Sequence, residues 1–256
     1  MTQEKKSTEQ QAHDLLAEEK YQDAAELYLQ AAKGFQRQEK HDRAAICLAA
    51  SASSRALILG ERTFHRVASL YEEAAQEAET AKDLEYASML YKYAAIAYER
   101  DNDNNALSEC FFKSREAYRR FLIQDLFHIE RAKGNTWIGL NFRQIGKRIV
   151  PLITATIASL LWGHGERPQR IILFGLGLIL IFALFYMHGH LSKDNIAIKP
   201  SFIQAAYFSF TAYTKVGTEN MSPIGFNKVI ALIETFIGIF TIPLYLTGLC
   251  RKYLRY

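Results

Sequence analysis

Two stretches in the C-terminal third of this chain are too long and too apolar to be left in water. Residues 171–187, IILFGLGLILIFALFYM, carry no charge, and the uncharged run continues through His188, Gly189 and His190 to Ser192. Residues 229–250, VIALIETFIGIFTIPLYLTGLC, hold a single charged residue, Glu234. A helix crosses about 30 Å of hydrocarbon with roughly 20 residues at about 1.5 Å each, so both stretches are expected to span a bilayer. The first span is read as 171–190 and the second as 226–250.

Orientation follows from the basic residues beside the spans. Between Arg131 and Arg170 stand Arg131, Lys133, Arg143, Lys147, Arg148, Arg167 and Arg170 against one acid, Glu166, and Arg251, Lys252 and Arg255 follow the second span. The positive-inside rule therefore puts both termini in the cytoplasm and the loop 191–225 outside. Anionic lipid of the inner leaflet is the natural partner of this charge. The net charge of +4 is accounted for by these residues, so nucleic acid is not expected as a partner.

The loop between the spans reads YFSFTAYTKVGTENMSP over 207–223. It resembles the pore loop of potassium-channel subunits: a pore helix over 201–213, a filter over Thr214, Lys215, Val216, Gly217, Thr218, Glu219 and Asn220, then Ser222-Pro223. The resemblance implies a two-transmembrane-helix pore domain with a re-entrant loop, assembled as a homotetramer that passes inorganic ions. Non-helical backbone at membrane depth is tolerated only where it lines such an aqueous path.

Three filter positions depart from the potassium pattern. Lys215 replaces a threonine, Thr218 the aromatic, and Glu219 the second glycine. Stacked carbonyls need residues able to take positive φ, so Val216-Gly217 keeps the middle of the stack while Glu219 implies a remodelled outer end. Four Lys215 ammonium groups about 7 Å apart would repel by about 2.4 kcal/mol per adjacent pair at an effective dielectric of about 20. Relief could come from lowered pKa values, from Glu219, from a bound anion, or from splayed side chains. The pore-helix dipole favours a cation at its C-terminal end, so Lys215 could act as a tethered blocker or admit anions. A non-selective or anion-permeable pore is expected rather than a conventional potassium-selective one.

In the second span, Glu234 is an intramembrane acid, read as support for the back of the pore helix. Gly238 and Pro243 weaken the helix at two places and are read as gating hinges. A third apolar stretch, 149–162, is too short to span. Ile149, Ile153, Ile157 and Leu160 or Leu161 share a face, which suits an interfacial helix in a juxtamembrane linker over 133–170, or else a helix buried in the cytoplasmic domain. The sequence WGHGERP that follows resembles a junction in bacterial proteins that join a cytoplasmic repeat domain to this pore, which implies the inner cell membrane.

Residues 9–132 have another character, rich in Ala, Glu, Lys and Tyr with almost no Gly or Pro. Small-residue centres recur about every 20 residues between polar breaks at QRQEKHD, GERT, TAKDLE and RDNDNN, the pattern of a helix-turn-helix array with a repeat of about 40. Segments starting at Tyr21 and Glu85 are alike, 64 positions apart. The pattern is similar to tetratricopeptide repeats, in the slightly long form found in the soluble attachment protein of vesicle fusion. A protein or peptide partner is possible on its concave face. Met1 to about Thr8 reads as a disordered start, and 251–256 as a basic cytoplasmic tail.

The chain is thus expected to be all-α, a cytoplasmic helical-repeat domain followed by the pore domain. Cys47, Cys110 and Cys250 lie far apart without metal spacing and are expected to be reduced thiols. His188 and His190 make an incomplete metal set. No nucleotide loop and no catalytic constellation is legible, so neither enzyme activity nor a cofactor is expected. Beside the channel stand two other readings, a non-conducting membrane sensor or scaffold, and a membrane-anchored repeat adaptor. Ion flux separates the first from the channel, and a monomer in mild detergent would favour the second.

Overall fold

The computed structural model describes residues 7–58, 64–132, 142–194, 196–217 and 221–253. The first six residues of the expected disordered start, the first part of the expected linker (133–141), and tail residues 254–256 lie outside the described residues. Among the described residues the chain is all-α, with ten helices and three very short strands. It divides at Ile157/Ala158 into two compact units.

The first unit contains α1 (Thr8–Ala17), α2 (Tyr21–Arg37), α3 (His41–Ala56), α4 (Phe64–Thr80), α5 (Leu84–Arg100) and α6 (Asn104–Ala132). Each helix packs on the next in sequence. Helix α1 begins at Thr8 because Ser7 and Gln10 form a capping box, so the helix takes in the last residue of the expected disordered segment. The turns after α1, α2, α4 and α5 share one device, a left-handed residue: Glu19, Glu39, Lys82 and Asn102, with φ between 57° and 64°.

Alanine makes the helix contacts close. Ala24, Ala25, Ala32, Ala44, Ala45, Ala68, Ala74, Ala75, Ala87, Ala94 and Ala95 are fully buried, and small side chains let helix backbones approach. The buried faces of α2 (Ala24, Ala25, Tyr28, Ala31, Ala32) and α5 (Ala87, Tyr91, Ala94, Ala95) superpose at an offset of 63 residues. That is one fewer than the likeness of the sequences suggests, because the internal match is set by the alanine pairs that meet the neighbouring helix. The same offset relates two hydrogen bonds between helices: Ser51 Oγ donates to Ala25 O (2.7 Å), and Ser114 Oγ to Ser88 O (2.8 Å).

Cys47 and Cys110 are buried in this core, and loss of hydration pushes their thiols up to about 11 and about 12. The thiolate is the nucleophile, so both are expected to resist iodoacetamide at mildly alkaline pH in the folded chain and to react at once in denaturant. Mass-spectrometric counting of alkylated sites checks this. Rapid labelling of either residue in the native chain contradicts the packing described.

Helix α7 (Phe142–Trp162) is seven residues longer at its start than the apolar stretch alone indicates. Arg143, Gln144, Lys147 and Arg148 are good helix formers and extend the helix ahead of the apolar stretch despite Gly146, and the helix runs on through Pro151. Val150, Ile153, Ile157 and Leu160 are exposed along it.

In the second unit, a tight turn at Gly163–Gly165 leads to α8 (Gln169–His188), where Arg170 Nη1 donates to Ser159 O at 3.0 Å. Strands β1 (Leu191–Lys193), β2 (Ile196–Ile198) and β3 (Met221–Pro223) flank α9 (Phe202–Thr214), and α10 (Asn227–Tyr253) completes the unit. The strands form an antiparallel sheet in the order β2-β1-β3, with Ser192 opposite Ser222 and Leu191 opposite Pro223. Helix α8 and residues 227–250 have mean hydropathies of 2.4 and 2.1, and less than a quarter of either is buried within the chain. Such exposed apolar surface distinguishes them from the core helices of a soluble domain and suits lipid.

Candidate pore site

The site is a short helix and loop held between two spans. Helix α9 starts where its sequence caps it: Ser201 Oγ accepts from the Gln204 amide (3.4 Å), and Gln204 Oε1 accepts from the Ser201 amide (3.0 Å). This capping box places Pro200 just ahead of the N-cap. At the other end Thr214 Oγ1 donates to Phe210 O (2.7 Å), and the helix stops at Lys215, which is left-handed with φ 60°.

The loop then runs through Val216, which is 76% exposed, to Gly217 at φ 93°. A Cβ at Gly217 would meet nothing within 4 Å. Glycine is therefore needed there for its backbone conformation and not for space. Lys215 adopts positive φ without that freedom and remains exposed. Thr218, Glu219 and Asn220 lie outside the described residues. The structure thus brings together the first four residues of the expected filter, Thr214, Lys215, Val216 and Gly217.

Helix α10 grips the C-terminal half of α9 through one stripe at helical spacing. Glu234 is fully buried; its Oε2 accepts from the Tyr186 hydroxyl (2.7 Å), and its Oε1 meets the Ser209 hydroxyl. Thr235 Oγ1 donates to Ala212 O at 3.1 Å. At Gly238 an added Cβ would overlap the backbone carbonyl oxygen of Tyr213. Thr241 Oγ1 lies 2.6 Å from the Tyr213 hydroxyl and donates its own hydrogen to Ile237 O at 2.9 Å, so Tyr213 is the donor between them. The Tyr213 ring end also fills the space beside Gly175, where a Cβ would come within 2.8 Å of its oxygen.

Two of these positions, Glu234 and Gly238, are legible in the sequence as site residues; the others are not. Tyr186, Ser209, Tyr213, Thr235 and Thr241 belong with them. The signal available was the recurrence of small or polar residues at 234, 235, 238 and 241 along an otherwise apolar span. Pro243 is exposed within a helix that continues to Tyr253.

The sheet ties the C-terminal end of α8 to the N-terminal end of α10. It joins β1, directly after α8, to β3, directly after the filter segment, and Asn227 Nδ2 donates to His190 O at 3.1 Å. The side-chain amide of Asn227 occupies the place a Cβ at Gly189 would take. Among the described residues no group of three or more His, Cys, Asp or Glu side chains is placed to hold a metal.

No curated protein and no solved structure matches the chain. Residues 171–255 match the sequence family of two-span ion-channel domains described as "Ion channel". The matched segment takes in α8, the sheet, α9, the filter segment and α10, and it supports a potassium-channel-like pore module in the membrane part of the chain.

Proposed function

We propose that the chain is one subunit of a homotetrameric ion channel whose atypical filter, TKVGTEN over 214–220, passes ions passively without conventional potassium selectivity. The observation that carries this reading is the attachment of α9. Its C-terminal half is bonded to both spans, through Ser209 to Ile179 O of α8 and through Ser209, Ala212 and Tyr213 to α10, so that Lys215, Val216 and Gly217 leave from a rigid support. An anchor needs two spans but no such third helix. Backbone that leaves a helix at membrane depth must line water or protein.

In this reading Thr214 to Asn220 form the filter, Glu234 supports the pore helix, and Gly238 and Pro243 lie where the inner half of α10 would bend. Both termini are cytoplasmic, and the apolar face of α7 lies on the anionic inner leaflet of the cell membrane, next to Lys147 and Arg148. The tetratricopeptide-like unit gates or localises the pore. A groove of about 700 Å³ lined by Ile46, Tyr86, Met89, Tyr118, Asp83 and Lys92 is where it would take a protein or peptide.

Purified full-length protein in planar bilayers under asymmetric potassium chloride tests the proposal. Discrete currents with a reversal potential between zero and the chloride potential are the expected result. A reversal at the potassium potential overturns the selectivity reading, and silence in a preparation shown to be tetrameric favours the non-conducting sensor.

A further inference from the structure

Counting hydrogens at the buried contact of α8, α9 and α10 gives a result that the attachment alone does not. Tyr186, Ser209 and Glu234 are each fully buried. Three contacts join them: Tyr186 Oη to Glu234 Oε2 (2.7 Å), Ser209 Oγ to Glu234 Oε1, and Ser209 Oγ to the carbonyl oxygen of Ile179 (2.9 Å). Tyr186 supplies one hydrogen and Ser209 one, and a carbonyl supplies none. Two hydrogens cannot make three full bonds. The third must come from the carboxyl group.

The surroundings agree. The buried apolar side chains clustered with Tyr186 are Ala183 of α8, Leu191 of β1, Ala205 and Phe208 of α9 and Ile230 of α10, and Tyr186 is the titratable group bonded to Glu234. Phe208 meets the Tyr186 ring edge-on at 4.9 Å. No cation among the described residues forms an ion pair with Glu234. A buried carboxylate with no cation and one hydroxyl shared with a carbonyl is poorly compensated, whereas a carboxylic acid there is fully bonded.

We propose that Glu234 is a proton-binding site: the neutral acid donates to Ser209, frees the Ser209 hydrogen for Ile179, and accepts from Tyr186. The proton thereby closes a chain of bonds from α10 through α9 to α8. Its removal obliges Ser209 to turn to the carboxylate, which releases α9 from Ile179. Alkaline pH therefore loosens the support of the filter five residues before Thr214.

The test does not depend on ion passage. Infrared spectra of the full chain in zwitterionic liposomes in D2O at about pH 7 should show a carboxylic C=O band that is absent from Glu234→Gln and shifted in Ser209→Ala. Raising the pH to about 10 should remove that band and lower the amide-exchange protection of α9 at least about tenfold, while Glu234→Gln, whose amide reproduces the bonds of the neutral acid, keeps its protection. Absence of the band at about pH 7, or an equal loss of protection in both chains, overturns the assignment. Should Glu234→Gln fail to fold, the Ser209→Ala shift decides alone: an unshifted band excludes Glu234 as its source.

Discussion

Lys215→Thr is expected to move the permeability of the reconstituted pore toward cations by at least about tenfold in the potassium-to-chloride ratio. In the proposed tetramer four ammonium groups about 7 Å apart lie about 5 Å from the axis. Each would oppose a cation there by about 3.3 kcal/mol at an effective dielectric of about 20. The left-handed C-cap position of Lys215 sets it against the negative end of α9, but that attraction is worth about 0.3–1 kcal/mol and is too small to cancel four such terms. Splaying of the exposed side chains and counter-ions reduce the effect, hence the tenfold lower bound, equivalent to about 1.4 kcal/mol. Reversal potentials of the two chains, measured at low and high salt, check it. The difference should shrink as ionic strength rises, because screening weakens exposed charges first. Equal reversal potentials would mean that Lys215 does not face the ion path. Current in Lys215→Thr with none in the unmodified chain would mean that the ammonium groups act as a tethered plug.

The parts of this molecule that the sequence announces are those governed by a single strong local term. Two apolar runs of spanning length become α8 and α10, and Ser201 with Gln204 caps α9 at the start of the expected pore helix. The sheet is not announced, because strands of three residues show no alternation and their pairing partners lie up to 32 residues apart. The triad escapes for another reason. A lone Tyr186 and Ser209 in apolar helices look like ordinary composition until the fold places both on Glu234. In the first unit, the resemblance between segments at Tyr21 and Glu85 is visible, but its register is fixed by which alanines meet the neighbouring helix, and that is a tertiary fact. At Glu219 the substitution argues for a remodelled outer filter, and the residue lies outside the described residues.

Gly238 shows how the same residue type changes meaning with its neighbours, and a graded series is expected in the second unit. Alanine at Gly177 meets nothing within 4 Å and should be neutral or stabilising, since alanine favours a helix by about 1 kcal/mol over glycine. Alanine at Gly175 would come within 2.8 Å of the Tyr213 hydroxyl, the end of a side chain that can shift at the expense of its bond to Thr241. A loss of about 1–2 kcal/mol is expected there. Alanine at Gly238 would overlap the carbonyl oxygen of Tyr213, which belongs to the backbone of α9 and cannot rotate away. The helices must separate. With them go the Thr235 bond to Ala212 and the Glu234 contact with Ser209, so the expected cost is about 3 kcal/mol or more, enough to lose assembled protein. Thermal unfolding followed by size-exclusion chromatography in mild detergent reads the order Gly177→Ala, Gly175→Ala, Gly238→Ala from most to least stable. If Gly238 served only as a hinge, Gly238→Ala would assemble and melt like the unmodified chain while its open probability changed. The close approach of α10 to the end of α9 predicts the opposite: two backbones touch at Gly238, so alanine there is expected to cost assembly whatever part the glycine also plays in bending α10.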